Sequence, residues 1–325
     1  MAGRFLRCRG FTLVEILVAV AVLALMLFVA VQLINGVSVT VGQSGKRMDS
    51  DTQARLIFNK MALDIAKMVL RSDVDYSPFK QPAATLSAAY GGASFPANLQ
   101  PGNDHLAFYS ETTGYFSGTS QPLGSAKAPI SLVAYMIASD SNNASQVLRR
   151  LGKGLGWEPD SNDAWKGMTY LPTTITSQWP NLFTLTSGSN TDPDYKTVGS
   201  QIFRIEYTYL LKSTSSQAAR LSLTPWDTSP AHTSIDGFKD VAAIVVSIGV
   251  LDYRSRILVK DYPSLIASLP DARDPASDAT YHGDIAAAWN AIVNAPGFAT
   301  AANLPPNAAA AVRIYQRYFY LDTTR

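Results

Sequence analysis

The sequence predicts an α+β protein: a long N-terminal helix, membrane-spanning in its first part and amphipathic in its second, packed on an antiparallel β-sheet head. Three observations carry this. Phe11 to Ile34 is one apolar run, broken only by Thr12, Glu15 and Gln32. Met48 to Arg71 repeats apolar side chains at helical spacing. After Ser72 the chain turns to short apolar or alternating stretches between polar segments rich in glycine and proline. One helix followed by separate strands gives α+β with an antiparallel sheet, not an alternating α/β fold.

The apolar run comes first. About 20 apolar residues span a bilayer as a helix, and Phe11–Ile34 is long enough. Arg4, Arg7 and Arg9 lie before the run and Lys46 and Arg47 after it, a bias that places the N-terminus in the cytoplasm. Asn35 to Gly45 then holds three glycines and several β-branched residues. Both lower helix propensity, so a bend or a weak turn is expected there. It would serve as a flexible joint or simply as a membrane-exit segment. From Met48, the residues Ala54, Phe58, Met61, Ile65 and Met68 form one stripe at three- and four-residue steps. Lys60, Asp64, Lys67 and Arg71 form a charged face, with Lys60 and Asp64 at i,i+4. Asp49, Ser50 or Asp51 is expected to cap this second part. A continuous helix from Phe11 to Leu70 would be about 90 Å long at 1.5 Å per residue.

The head follows. Strands are expected over His105–Ser110, Ile130–Ser139, Gln146–Leu151, Gln201–Leu211, Val241–Leu251 and Val312–Leu321. In Gln201–Leu211, Ile202, Arg204, Glu206 and Thr208 alternate with Phe203, Ile205, Tyr207 and Tyr209. That alternation predicts a half-buried strand with one polar and one apolar face. Val241–Leu251 is nearly all apolar and reads as a central strand. Ala286–Val293 reads as a short helix capped by Asp284. There is no internal repeat and no evident linker, so residues 72–325 are expected to form one domain.

Composition excludes several classes of function. With 47% hydrophobic and 16% charged residues, the chain suits a membrane-tethered or secreted globular protein, not a disordered one. The formal charge of +2 rests on the three arginines ahead of Gly10, so no nucleic-acid footprint is expected. Cys8 is the only cysteine, which rules out an intrachain disulfide and a thiolate metal site. His105, His232 and His282 are scattered. Gly152-Lys153-Gly154-Leu155-Gly156 lacks the spacing of a phosphate loop and reads as a hairpin turn. Asp192-Pro193-Asp194 and Asp271-Ala272-Arg273-Asp274 carry oxygen ligands but no calcium-loop signature. No nucleophile frame is present. Trp157, Trp165, Trp179 and Trp226 lie in or beside expected loops and read as packing over the sheet. No cofactor and no enzymatic activity are expected.

The one anomaly is Glu15. A carboxylate at a bilayer centre costs roughly 2.5–3.5 kcal/mol on insertion scales, and such residues are usually functional. An ordinary secretory signal, cut near Ser38 or Gly42, has a shorter apolar run and no internal carboxylate. A lipoprotein signal needs its cysteine after the run, whereas Cys8 precedes it. A plain single-pass anchor fits the run but leaves Glu15 unexplained. The remaining reading starts from Arg9-Gly10-Phe11-Thr12-Leu13-Val14-Glu15-Ile16-Leu17-Val18-Ala19. Gly10 has no Cβ and lets the backbone enter a tight protease cleft. A new α-amine at Phe11 would lie one helical turn from Glu15, on the same face. A positive amine held close removes most of the burial penalty of the carboxylate.

That segment resembles the class III signal of type IV prepilins and type II secretion pseudopilins. The resemblance implies cleavage between Gly10 and Phe11 by a prepilin peptidase and N-methylation of Phe11. It also implies that Glu15 sets assembly register against the amine of a neighbouring subunit. Residues 1–10 would then be a cytoplasmic leader, 11–71 the long helix with 11–34 transmembrane, and 72–325 a periplasmic head. More of the chain resembles the Verru_Chthon cassette protein C family of prepilin-type proteins. The stretches that carry this are Arg71–Tyr76, Asn103–Glu111, Arg149–Leu155 and Val312–Leu321. The overall plan is also similar to the J-type minor pseudopilin. The implied function is a minor pilin or pseudopilin-like structural subunit in the inner membrane. Its partners would be prepilin peptidase and other pilin or pseudopilin subunits. An adhesin or substrate-binding module displayed on such a filament is the alternative.

Overall fold

The computed structural model describes residues 12–70, 77–79, 102–115, 127–139, 146–154, 195–215, 218–222, 238–271 and 284–321. The chain forms two compact units, Met1–Met48 and Asp49–Arg325. The structure is a long apolar N-terminal helix followed by antiparallel sheets, the mixed α+β class that the sequence predicts and one consistent with a pilin-like fold.

Helix α1 spans Leu13–Ala66. Residues 35–45 are helical, where a weak turn was among the expectations. Gly36, Gly42 and Gly45 cost about 1 kcal/mol each relative to alanine. The chain is helical on both sides of them, and extending an existing helix needs no new nucleus. Asp49, Ser50 and Asp51 therefore lie inside α1 and do not cap its start. The helix ends at Ala66, short of Arg71, and Met68 then bridges to Ser110.

The strands form two sheets where one was expected. The first contains β1 (Ser77–Phe79), β2 (His105–Ser110), β3 (Gly114–Tyr115), β4 (Lys127–Ala128), β5 (Ser131–Ser139), β6 (Gln146–Gly154) and β7 (Lys196–Gly199). Its order is β1-β2-β5-β6-β3-β4, with β7 also on β6. All its pairs are antiparallel except β3–β6. The second contains β8 (Ile202–Leu211), β9 (Arg220–Ser222), β10 (Val241–Val250) and β11 (Arg313–Tyr320), in the order β11-β10-β8-β9. The apolar β10 is a central strand, as its composition predicts. Between β10 and β11 lie short helices: α2 (Tyr253–Arg256), α3 (Tyr262–Ala267), α4 (Ile285–Val293), α5 (Phe298–Ala301) and α6 (Pro306–Ala309). Asp284 caps α4 by accepting from the Ala287 amide at 3.1 Å.

The expected stripe on α1 is the keel of the core. Ala54, Ile57, Phe58, Met61, Ile65 and Met68 are buried against inward residues of both sheets, among them Phe108, Val133 and Leu148 of the first and Tyr209, Ile244 and Val246 of the second. Asp64 is the correction. It is fully buried and does not belong to a charged face. Its carboxylate takes two bonds from Arg150, Nε at 2.7 Å and Nη2 at 2.8 Å, and a third from the Tyr135 hydroxyl. The Ser110 hydroxyl donates to the Asp64 carbonyl at 2.9 Å. Burial alone would lower the Arg150 pKa, but the bonds to Asp64 outweigh it and raise it. Burial and the Asp64 charge push the Tyr135 hydroxyl well above its usual range.

The Gly152-Lys153-Gly154 run serves this arrangement and is not a hairpin turn, for it lies in β6. A Cβ on Gly152 would stand 2.5 Å from Arg150 Nη1, so glycine leaves room for the guanidinium that grips Asp64. A Cβ on Gly114 would stand 2.6 Å from the Gly154 Cα, so paired glycines let β3 run beside β6.

Strand β8 is buried on both faces, where one polar face had been expected. Its polar side points into a second cluster, built around Leu251, Leu265, Ile285 and Trp289. There the fully buried Arg204 donates to Glu206 at 3.0 Å, Asp271 at 2.6 Å and the Leu269 carbonyl at 3.3 Å. Its guanidinium lies 5.1 Å from the Trp289 ring centre, and Trp289 Nε1 donates to the Pro270 carbonyl at 2.8 Å. An alternating pattern marks two faces, and here helices cover the second.

Two outcomes test this packing. Asp64→Ala strands a buried guanidinium, and removing one partner of such a pair costs about 3–5 kcal/mol. Urea unfolding of the full chain in detergent should show a loss of that size. The second concerns His105, whose burial pushes its imidazole down to about 3. A folded pKa below the unfolded value of about 6.5 gives stability that is present above pH 6.5 and lost as pH falls. Between pH 6 and 4, wild type should lose about 1.4 kcal/mol more per pH unit than His105→Phe. Equal acid sensitivity of the two proteins would refute a buried neutral imidazole.

Candidate functional site at the start of the long helix

Among the described residues there is one helix long and apolar enough to cross a membrane, Leu13–Val37, with a mean hydropathy of 3.0. Its side chains are exposed throughout. An apolar surface that large excludes water poorly unless lipid or other apolar partners cover it.

Glu15 stands in the first turn of this helix. Its Oε2 accepts from the Thr12 amide at 2.9 Å and from the Thr12 hydroxyl at 3.0 Å. The Glu15 amide in turn donates to the Thr12 hydroxyl oxygen at 3.3 Å, and the Thr12 carbonyl accepts from the Ile16 amide at 3.3 Å. This is a reciprocal capping box. Threonine stands at the N-cap, and glutamate three residues on satisfies the amide that the helix leaves over. A carboxylate at this end also meets the positive pole of the helix dipole. The Thr12-Leu13-Val14-Glu15 spacing is the sequence signal for it. Gly10 and Phe11 lie outside the described residues, so the geometry begins one residue past the expected cut.

Among the described residues, the other candidate positions do not assemble into a site. Asp271 is engaged by Arg204. Trp157, Trp165, Trp179, Trp226, Asp192, Asp194, His232 and His282 lie outside the described residues. Trp289, which the sequence reading passed over, is core. Among the described residues no three of His, Cys, Asp and Glu gather as a metal site would require.

Residues 6–31 match the prokaryotic N-terminal methylation motif. The match covers Arg7 and Arg9, Gly10, Phe11, the capping box and most of the apolar helix. It supports a type IV pilin-like protein, a structural subunit in kind and anchored by a single membrane pass. No curated protein matches the chain.

The capping box separates the two properties of Glu15. Thr12→Val removes one cap partner, which costs about 1 kcal/mol at such a position. Amide exchange over residues 13–16 of the full chain in nanodiscs should quicken by roughly fivefold. Glu15→Gln keeps a side chain able to complete the box and should leave that exchange close to wild type.

Proposed function

We propose that this chain is a minor pilin or pseudopilin-like subunit. Prepilin peptidase cuts it between Gly10 and Phe11 and methylates the new Phe11 amine. The subunit then joins other pilin or pseudopilin subunits in a filament or at its tip. The carrying observation is the methylation motif at residues 6–31 on an apolar, capped, membrane-length helix. In this reading the chain is the substrate of the processing reaction and performs none itself. Residues 1–10 are the cytoplasmic leader, and the β-rich head from residue 72 lies in the periplasm on an inner-membrane anchor. The size of the head favours a minor or capping position, since bulky heads crowd a repeating fibre. The resemblance to the Verru_Chthon cassette proteins supports a narrower reading within that class.

Glu15 has a double role here. Before assembly its carboxylate completes the capping box. In the filament its charge meets the methylated amine of a neighbour, and that pairing offsets the cost of a carboxylate among acyl chains.

Two measurements test this. Mass spectrometry of the chain from cells with a prepilin peptidase should find a mature N-terminus at methylated Phe11. An intact Met1, or a start near residue 40, would overturn the proposal. Glu15→Gln preserves helix initiation and removes the charge, so membrane insertion should persist while filament incorporation falls at least tenfold. Normal incorporation of that variant would reduce Glu15 to a cap.

A further inference from the structure

The segment that follows β10, residues 252–260, offers a surface for which subunit assembly through Glu15 has no use. Its exposed side chains are Tyr253, Arg254, Ile257, Leu258 and Lys260. Tyr253 is 56% exposed, Ile257 69% and Leu258 38%. The backbone beneath them is held firmly. Asp252 is buried and accepts from the Arg254 amide at 3.1 Å and the Ser255 amide at 3.2 Å. Ser255 and Val259 are buried. Arg256 Nη1 donates to the Ser200 carbonyl, and its guanidinium lies 5.5 Å from the Tyr253 ring centre. The apolar tips are thus presented by a braced turn, with cations beside them. The acids of the segment are turned to capping: Asp252 caps α2, and Asp261 caps α3 through the Ser264 amide at 3.0 Å.

This composition suits one kind of partner. Tyrosine favours the headgroup level of a bilayer, aliphatic side chains enter the acyl boundary, and arginine and lysine meet lipid phosphates. The chain also brings such a surface near. The Tyr253 amide donates to Asp49 Oδ2 at 3.4 Å, and Gln201 Nε2 donates to the same oxygen at 2.8 Å. Only residues 38–48 separate Asp49 from the end of the apolar span at Val37. Even fully extended, that stretch reaches about 40 Å.

We propose that residues 252–260 dock on the anionic surface of the membrane in which the chain is anchored, through Tyr253, Ile257 and Leu258 with Arg254 and Lys260. The proposal rests on the single-pass anchor described above. The docked head is the form of the subunit before assembly, and extraction into a filament releases it.

The test uses the full chain carrying Cys8→Ala and Ile257→Cys, with an environment-sensitive fluorophore on the new thiol. In nanodiscs containing phosphatidylglycerol the label should shift to the blue and be quenched by spin-labelled lipid. In phosphatidylcholine discs, or at high salt, both effects should weaken. Arg254→Gln and Lys260→Gln should each shift the docked-to-free ratio by roughly fivefold. The same label at Tyr320→Cys, a position 71% exposed on β11, should stay in water. A label at 257 that stays in water in anionic discs overturns the docking while the anchor stands. Equal entry at 257 and 320 overturns its specificity. Shielding that appears in detergent and grows with protein concentration assigns the surface to a second copy instead. A chain that fails to enter nanodiscs overturns anchor and docking together.

Discussion

The head is organised around one buried carboxylate. Asp64 sits on the inner face of α1, where the apolar stripe alone would hold helix to sheet without setting an exact depth or rotation. Hydrophobic contact is non-directional. A charge with three donors is not: Arg150 and Tyr135 of neighbouring strands reach Asp64 from fixed positions, and Ser110 ties the backbone of the same turn. Sliding α1 by one residue would leave a carboxylate and a guanidinium buried apart, which adds about 3–5 kcal/mol to the cost of the lost packing. The register of helix against sheet follows from that penalty, and the glycine at 152 makes the grip sterically open.

A second buried guanidinium does the same work on the outer side of the second sheet. Arg204 gathers Glu206, Asp271, the Leu269 carbonyl and the face of Trp289. It fastens the helices between β10 and β11 to strand β8. The two arginines face different cores, one shared with α1 and one beneath the short helices. Each fixes a layer whose apolar contacts would tolerate several positions. The turn at 252–260 gains its rigidity from being braced between these layers, with Asp252 and Ser255 buried and Asp49 beneath.

At the other end of α1, a single side chain answers two demands. Glu15 completes the first turn by bonding to Thr12, and the same carboxylate sits at the head of an apolar run that carries the methylation motif. A capping glutamine would meet the first demand as well. The negative charge is needed only if a positive partner comes to meet it, and the proposed assembly role supplies that partner.

Much of the architecture is local and was therefore legible. The apolar run, the stripe from Ala54 to Met68, the edges of β2, β8, β10 and β11, and the cap at Asp284 each depend on residues a few positions apart. Periodicity and propensity report such distances directly. The capping box at Thr12 and Glu15 is equally local and could have been read. The weak turn expected at 35–45 is helix instead, because propensity is a weak prior against the cooperativity of a helix already formed.

What the sequence by itself determined is the plan: an apolar helix led by a processing motif, then a β-rich head. What only the tertiary structure decided is where the polar residues of that plan go. Asp64 looked like one more charge on a solvated face until Arg150, 86 residues away, proved to be its partner. Arg204 and Glu206 looked like the wet side of a strand until Trp289 and Asp271 covered them. Alternation tells which side chains share a face. It cannot tell what covers that face, because burial depends on contacts between residues far apart in the chain.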